Sequence, residues 1–229
     1  MNLLTESVFF GVLISLGSYE LGILMKRKFK LALFNPLLIS VALTICVLLL
    51  FHIDYDTYYE GAKYISYLLT PATVCLAIPL YEQVELLKKN FKAIIIGITS
   101  GVLTSLISVL TLSVAFHLNH ADYVTLLPKS ITTAIGMGVS EELGGYMTIT
   151  VAVIIITGIL GNVVAEGVCK VFKIEESIAK GIAIGSAAHA VGTAKAMEIG
   201  EIEGAMSSLS IAVAGLMTVV GANIFANFL

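Results

Sequence analysis

Apolar residues in this chain fall into long runs that are separated by short polar stretches. The runs cover residues 6–25, 31–51, 64–81, 93–116, 126–140, 147–169, 178–198 and 204–228. A helix that crosses the hydrocarbon core of a bilayer needs about 20 predominantly apolar residues. The pattern therefore predicts an all-α polytopic membrane protein with about eight membrane segments.

Composition agrees with the run pattern. Apolar residues make up 58% of the chain and charged residues 13%, and the mean hydropathy is +0.98, well outside the composition of an ordinary soluble domain. The net charge of −3 offers no basic face for nucleic acid. Because the polar links are short, we expect a single transmembrane domain over residues 1–229 in a multi-pass protein of the bilayer.

Lysine and arginine in short loops indicate the cytoplasmic side. The basic cluster at residues 26–30 puts the first loop inside and the N-terminus outside. The second cluster, at residues 88–92, marks a further cytoplasmic turn. Two full crossings at 126–140 and 147–169 would then leave Lys170, Lys173 and Lys180 on the wrong side. One of these segments is therefore expected not to span.

The run at 126–140 is the better candidate for a broken or re-entrant segment, because proline and lysine open it and two glycines follow it. The run at 178–198 is rich in glycine and alanine and invites the same interpretation. If both re-enter from opposite sides, each before a long helix, the chain contains an inverted repeat. Helix breaks are expected at Pro71, Pro128, Gly185 and Gly192.

Lys129 is the clearest candidate for anion binding. An ammonium at membrane depth is costly, so it needs a partner or a wet pocket. In one interpretation Lys129 and the amides after Pro128 bind a carboxylate, with Ser130, Thr132 and Thr133 meeting its other oxygens. In the other, Lys129 extends from a helix end to the outer surface.

A second group of candidates follows at Gly185. His189 and Thr193 share one helical face, and Lys195 joins them if the helix breaks near Gly192. His189 could help to bind an anion or carry a proton in a coupling step; it could equally be a buried neutral histidine. Glu142 is a further candidate for coupling, with a solvated loop acid as its alternative.

No motif of a metalloprotease, a serine hydrolase or a P-loop ATPase occurs in the sequence. We therefore expect neither an enzyme nor a cofactor or metal, and energy for any transport would come from a gradient.

The sequence resembles the LrgB/CidB family of bacterial holin-like and antiholin-like operons, which is related to the plastid glycolate/glycerate translocator. The resemblance is carried by residues 69–81, 127–133, 140–145, 185–197 and 203–208. The chain departs from the family pattern at Ala134, where proline is common, at Ala190, where glycine is common, and at Lys195, where arginine is common. A lysine there loses the planar fork that arginine offers a carboxylate.

The resemblance implies a protein of the bacterial plasma membrane that works with a small LrgA/CidA-type membrane partner. It also implies two competing functions. One is secondary transport of small monocarboxylates such as pyruvate or glycolate, with proton or cation coupling. The alternative is an antiholin-like or holin-like regulator of murein hydrolase export and cell lysis. A homodimer is expected in either case. The lysine, histidine and hydroxyls beside broken helices favour the carrier.

Overall fold

The computed structural model describes residues 9–29, 34–75 and 77–229, and every regular element in these ranges is helical. The chain divides after Cys75 into two compact units. The described residues of the first unit form four helices: α1 (Phe10–Phe29), α2 (Pro36–Leu50), α3 (Tyr55–Ser66) and α4 (Leu69–Cys75). The second contains α5 (Ala77–Glu82), α6 (Val84–Ala115), α7 (His120–Leu126), α8 (Thr133–Glu142), α9 (Met147–Val171), α10 (Ser177–Ile199) and α11 (Glu201–Phe225), with a 3₁₀ turn at Ala226–Phe228.

In the first unit, α1 packs against both α2 and α3. Helix α2 begins at a well-formed cap: the Asn35 side chain accepts hydrogen bonds from the amides of Leu37 (2.9 Å) and Leu38 (3.3 Å). Pro36 occupies the first helical position, where its missing N–H is not needed. Gly22 allows the close approach of α1, since a Cβ there would lie 2.7 Å from the Pro36 carbonyl oxygen.

Three helices in the described part of the chain are long and apolar enough to cross a membrane. They are α6, α9 and α11 with its 3₁₀ extension. They contain the runs predicted at 93–116, 147–169 and 204–228, so the prediction of a helical membrane protein is confirmed at this level. Helix α2 is apolar but has only 15 residues.

The core of the second unit lies between α6, α10 and α11. Helix α6 contributes a buried stripe with steps of three and four residues, the spacing of one helical face, and its members are Ile94, Ile98, Val102, Leu106, Val109 and Ser113. At the start of α11, every residue from 203 to 208 is buried. A helix that is buried on all sides belongs to the interior of a bundle.

Helices α10 and α11 form the most extensive helix pair and meet through small residues. A Cβ at Gly181 would lie 2.5 Å from the Glu203 carbonyl oxygen, and one at Gly185 would collide with the backbone of Ser207. Gly185 therefore permits close packing inside a regular helical stretch; it does not mark a break. Small residues allow helix backbones to approach closely in membranes, where dispersion contacts hold helices together.

Two further expected breaks, at Gly192 and Pro71, also differ from the prediction. The interruption of α10 lies at His189, whose backbone has φ 42° and ψ −139°, whereas the sequence suggested Gly192. Pro71 lies in the first turn of α4, where the helix needs no amide from it. Pro128 does lie outside helices, between α7 and α8.

The α10–α11 packing generates a stability prediction. Gly185→Val should destabilise the protein by about 2 kcal/mol, because the added methyl groups must displace the α11 backbone. The midpoint of thermal unfolding in detergent should fall by roughly 5 °C. Gly167→Val is the matched control, since a Cβ at this helical glycine meets nothing within 4 Å. Equal midpoints for the two variants would contradict the packing argument.

Candidate functional site

A non-helical stretch at residues 127–132 joins α7 to α8 and carries Lys129. Two backbone bonds close its turn, from the Lys129 amide to the Leu126 carbonyl (3.2 Å) and from the Ile131 amide to the Pro128 carbonyl (3.3 Å). These bonds occupy two of the amides that the sequence analysis assigned to an anion. Helix α8 begins only at Thr133, so the amides of Lys129 and Ile131 belong to the turn and are not open to an anion.

Lys129 and Ser130 line a cavity of about 940 Å³ in the second unit. The Lys129 ammonium donates to the Ser130 hydroxyl (2.9 Å), and the Ser130 and Ser105 hydroxyls lie 3.2 Å apart. This chain of three polar groups connects the loop to α6. The rest of the cavity wall comes from α6, α9 and α10, and its other polar groups include Asn90, Ser100, Thr104, Ser108, Thr157 and Ser186.

The cavity is elongated along α6. Its wall includes residues of this helix from Asn90 to Ser108, which corresponds to roughly 27 Å at 1.5 Å per residue. That length approaches the thickness of the hydrocarbon core, about 30 Å. Residues on α10 follow α6 in the same direction, because Ile182 lies opposite Gly97 and Ser186 opposite Gly101. The cavity therefore follows the α6–α10 interface.

Lys129 makes no ion pair with any residue in the described ranges. Glu176 is the other charged residue in the cavity wall. Glu176 precedes Ile182 of α10, which lies opposite Gly97 of α6. Lys129 is connected through Ser130 to Ser105, which lies further along α6. At 1.5 Å per residue, Glu176 and Lys129 are roughly 20 Å apart along the helix axis. The half-buried ammonium therefore supplies a local positive charge that has no carboxylate beside it.

Helix α9 satisfies backbone groups at both broken segments. The Thr150 hydroxyl donates to the Thr125 carbonyl (3.0 Å), just before the Lys129 stretch. On the other side, the Asn162 amide donates to the Val191 carbonyl (2.8 Å). The His189 ring donates from Nε2 to the Ile154 carbonyl (3.0 Å). Both interruptions are therefore tied to the same membrane-spanning helix.

The other residues predicted for the site lie outside the cavity wall. His189 is 4% exposed and its ring contacts the Gly158 position of α9. Thr193 is fully buried and its hydroxyl lies 2.7 Å from that of Ser207. The Lys195 ammonium pairs with Glu166 (2.6 Å) and Glu198 (3.1 Å). Apart from the Lys195–Glu198 pair, which lies within α10, these contacts join α10 to α9 and α11.

The remaining candidates also lie outside the cavity wall. Thr132 and Thr133 begin α8 half-buried, and Glu142 is exposed at the end of that helix. The cavity wall instead includes Ser105, Thr157 and Ser186. Of these three, the sequence indicates only Ser186, because helical spacing places it on one face with His189 and Thr193. Part of the signal was present: serine, threonine and glycine recur every four residues along α6, as in Gly97, Gly101 and Ser105.

Comparison with known proteins identifies the family of the chain. The sequence model of the LrgB-like family matches residues 15–228, a range that crosses the boundary between the two units. The chain belongs to the LrgB-like family. It is 37% identical over 226 residues to the antiholin-like protein LrgB of Bacillus cereus (strain B4264) and to that of Bacillus anthracis (strain A0248), covering 98% of both chains in each case. No solved structure matches.

The backbone conformation at His189 predicts that glycine is more stable than alanine at position 189 and less stable than alanine at position 187. A non-glycine residue at φ 42° carries about 1–3 kcal/mol of strain, which glycine relieves. Both His189→Gly and His189→Ala lose the ring bond to Ile154. His189→Gly should nevertheless be the more stable variant by about 1 kcal/mol, measured by thermal unfolding in detergent.

The control is Ala187, which lies in the regular part of α10. There Ala187→Gly should lower stability by about 1 kcal/mol, since glycine is a poor helix former. A His189→Ala variant that is more stable than His189→Gly would contradict the observed backbone.

Proposed function

We propose that this chain is an antiholin-like component of the bacterial plasma membrane and that its molecular activity is secondary transport of small monocarboxylates. The role is supported by the relatives, which are named antiholin-like proteins and match over 98% of both chains. The activity is supported by one observation above all, the Lys129 ammonium that lines a cavity without an ion pair in the described part of the chain.

The cavity suits a compact organic anion. Lys129 supplies the charge for a carboxylate, and the Ser130 and Ser105 hydroxyls stand within one hydrogen-bonded chain beside it. A bound carboxylate would accept from the ammonium in place of Ser130, which frees that hydroxyl to bind a second oxygen of the substrate. Pyruvate and glycolate, each with a carboxylate and one further oxygen, match this set of donors.

The topology that we propose retains eight membrane segments and an N-terminus outside. Within the second unit, a broken segment (α7 and α8) precedes the span α9, and a broken helix (α10) precedes the span α11. This order is the one expected of an inverted repeat, in which binding sites lie at broken helices. Basic residues at the end of α1, at the start of α6 and after α9 would then be cytoplasmic.

The relatives' name favours a second candidate function in which the chain controls murein hydrolase export and lysis without selective transport. Such a protein would form or block membrane lesions as an oligomer with a small LrgA/CidA-type partner. In the first proposal this partner, or a second copy of the chain, joins the carrier and lysis control follows from the movement of the anion. In both proposals the chain performs no enzymatic reaction.

Uptake into proteoliposomes tests the transport proposal. The reconstituted chain should take up labelled pyruvate or glycolate, and Lys129→Met should reduce the uptake by roughly 10- to 100-fold, the range for losing a charged hydrogen bond. Lys89→Met is the matched control, because Lys89 is exposed on α6 and does not line the cavity. Uptake equal to that of empty liposomes would refute the carrier.

Two further measurements separate the candidates. Release of trapped dyes of increasing size should stay at background for a carrier, whereas size-tolerant release that ignores Lys129 indicates lesions. In bacteria that lack their own copy, murein hydrolase activity should respond to wild type but not to Lys129→Met if transport underlies the role. A Lys129→Met variant that restores control of murein hydrolase activity but takes up no substrate would show that this control does not depend on transport.

A further inference from the structure

A second cavity, of about 520 Å³, lies where α9 ends and α10 begins. We call it the lysine pocket, because Lys170, Lys173 and Lys180 are in its wall. Glu166, Glu175 and Glu198 also line it. It is separate from the Lys129 cavity, and the two share no lining residue.

The glutamates of the lysine pocket are largely occupied. Lys195, from the second half of α10, places its ammonium 2.6 Å from Glu166 and 3.1 Å from Glu198. The Lys170 ammonium also lies near the Glu166 carboxylate, at 3.9 Å. Glu175 is exposed. The wall holds three lysines and three glutamates, and Lys195 pairs with two of these glutamates from outside the wall.

Lys173 and Lys180 are the cations left for a ligand. Neither forms an ion pair within the described residues. The position of Lys173 is fixed by the end of α9, where the amide of Ile174 donates to the Cys169 carbonyl (2.8 Å) and that of Lys173 to the Lys170 carbonyl (3.2 Å). Lys173 has φ 54° at this turn, the left-handed residue that closes many helices.

The surroundings of the pocket favour a lipid over a soluble anion. Helix α9 is long and apolar enough to span a membrane, and it ends at Val171, so the pocket lies at the level of the headgroups. Val171 and Phe172, beside the lysines, are 76% and 72% exposed. Exposed apolar side chains at this level can contact acyl chains while neighbouring lysines meet phosphates. Basic pockets between membrane helices bind anionic headgroups in this way.

We propose that the lysine pocket binds the phosphate headgroup of an anionic phospholipid through Lys173 and Lys180. The headgroup would connect α9 to the start of α10, the helix that walls the Lys129 cavity. Binding of this lipid does not depend on the transport proposal, since the pocket exists whether or not Lys129 binds an anion.

Lipid retention by the purified, full-length protein tests the proposal. Protein exchanged into mixed micelles with equal phosphatidylglycerol and phosphatidylcholine should retain phosphatidylglycerol preferentially, as counted by native mass spectrometry. The double variant Lys173→Gln/Lys180→Gln should retain it roughly tenfold less, given the contribution of each lysine near a charged headgroup. Lys88→Gln/Lys89→Gln is the control: it removes the same charge from exposed positions outside the pocket.

The outcomes are distinct. Equal retention of the two lipids by wild type would overturn the proposal, as would equal losses in both double variants. Helical circular dichroism checks that each variant is folded. Glycerol phosphate and inorganic phosphate form a separate arm: if they displace phosphatidylglycerol at low concentration, the phosphate chemistry stands but the source is soluble and the lipid assignment is wrong.

Discussion

Polar backbone groups at membrane depth have no water to bind, so each interruption of a helix must be satisfied from within the protein. Helix α9 supplies these partners for both broken segments of the second unit, the Lys129 stretch and the break in α10. Its threonine at 150 and asparagine at 162 donate to carbonyls beside the two broken segments, and its Ile154 carbonyl accepts from His189. Without this shared helix, the Lys129 stretch and the break in α10 would leave backbone groups without hydrogen-bond partners in lipid, which is energetically costly.

The sequence predicts the parts of this structure that depend on local composition. The three long spans follow from uninterrupted apolar runs, and the break at Pro128 follows from the missing amide of proline. The break in α10 could not be assigned in the same way. Glycine is the more permissive residue type, which favours Gly192 as the break. In the structure Gly192 instead lies against Ala188 and Ile184 of the same helix, where a Cβ would not fit. A left-handed histidine depends on its ring bond to α9, a contact between distant residues.

The site was predictable to the same limited degree. A lysine in an apolar run requires an explanation, so the sequence predicts Lys129 and Ser130 as candidates, and both line the cavity. His189, Thr193 and Lys195 were grouped with them because helical spacing tells which side chains share a face. Spacing does not tell which neighbour that face meets. In the structure the neighbours are α9 and α11, and the three residues pair with Ile154, Ser207 and two glutamates.

The glycine contacts of α10 also decide which parts can move together. Backbone of α10 lies against backbone of α11 at Gly181 and Gly185, where the nearest atoms are the carbonyl oxygens of Glu203 and Ser207. Towards α6, the same helix meets Gly97 and Gly101 through the ends of Ile182 and Ser186 side chains. Movement of α10 relative to α11 would therefore require the two helix backbones to separate at Gly181 and Gly185.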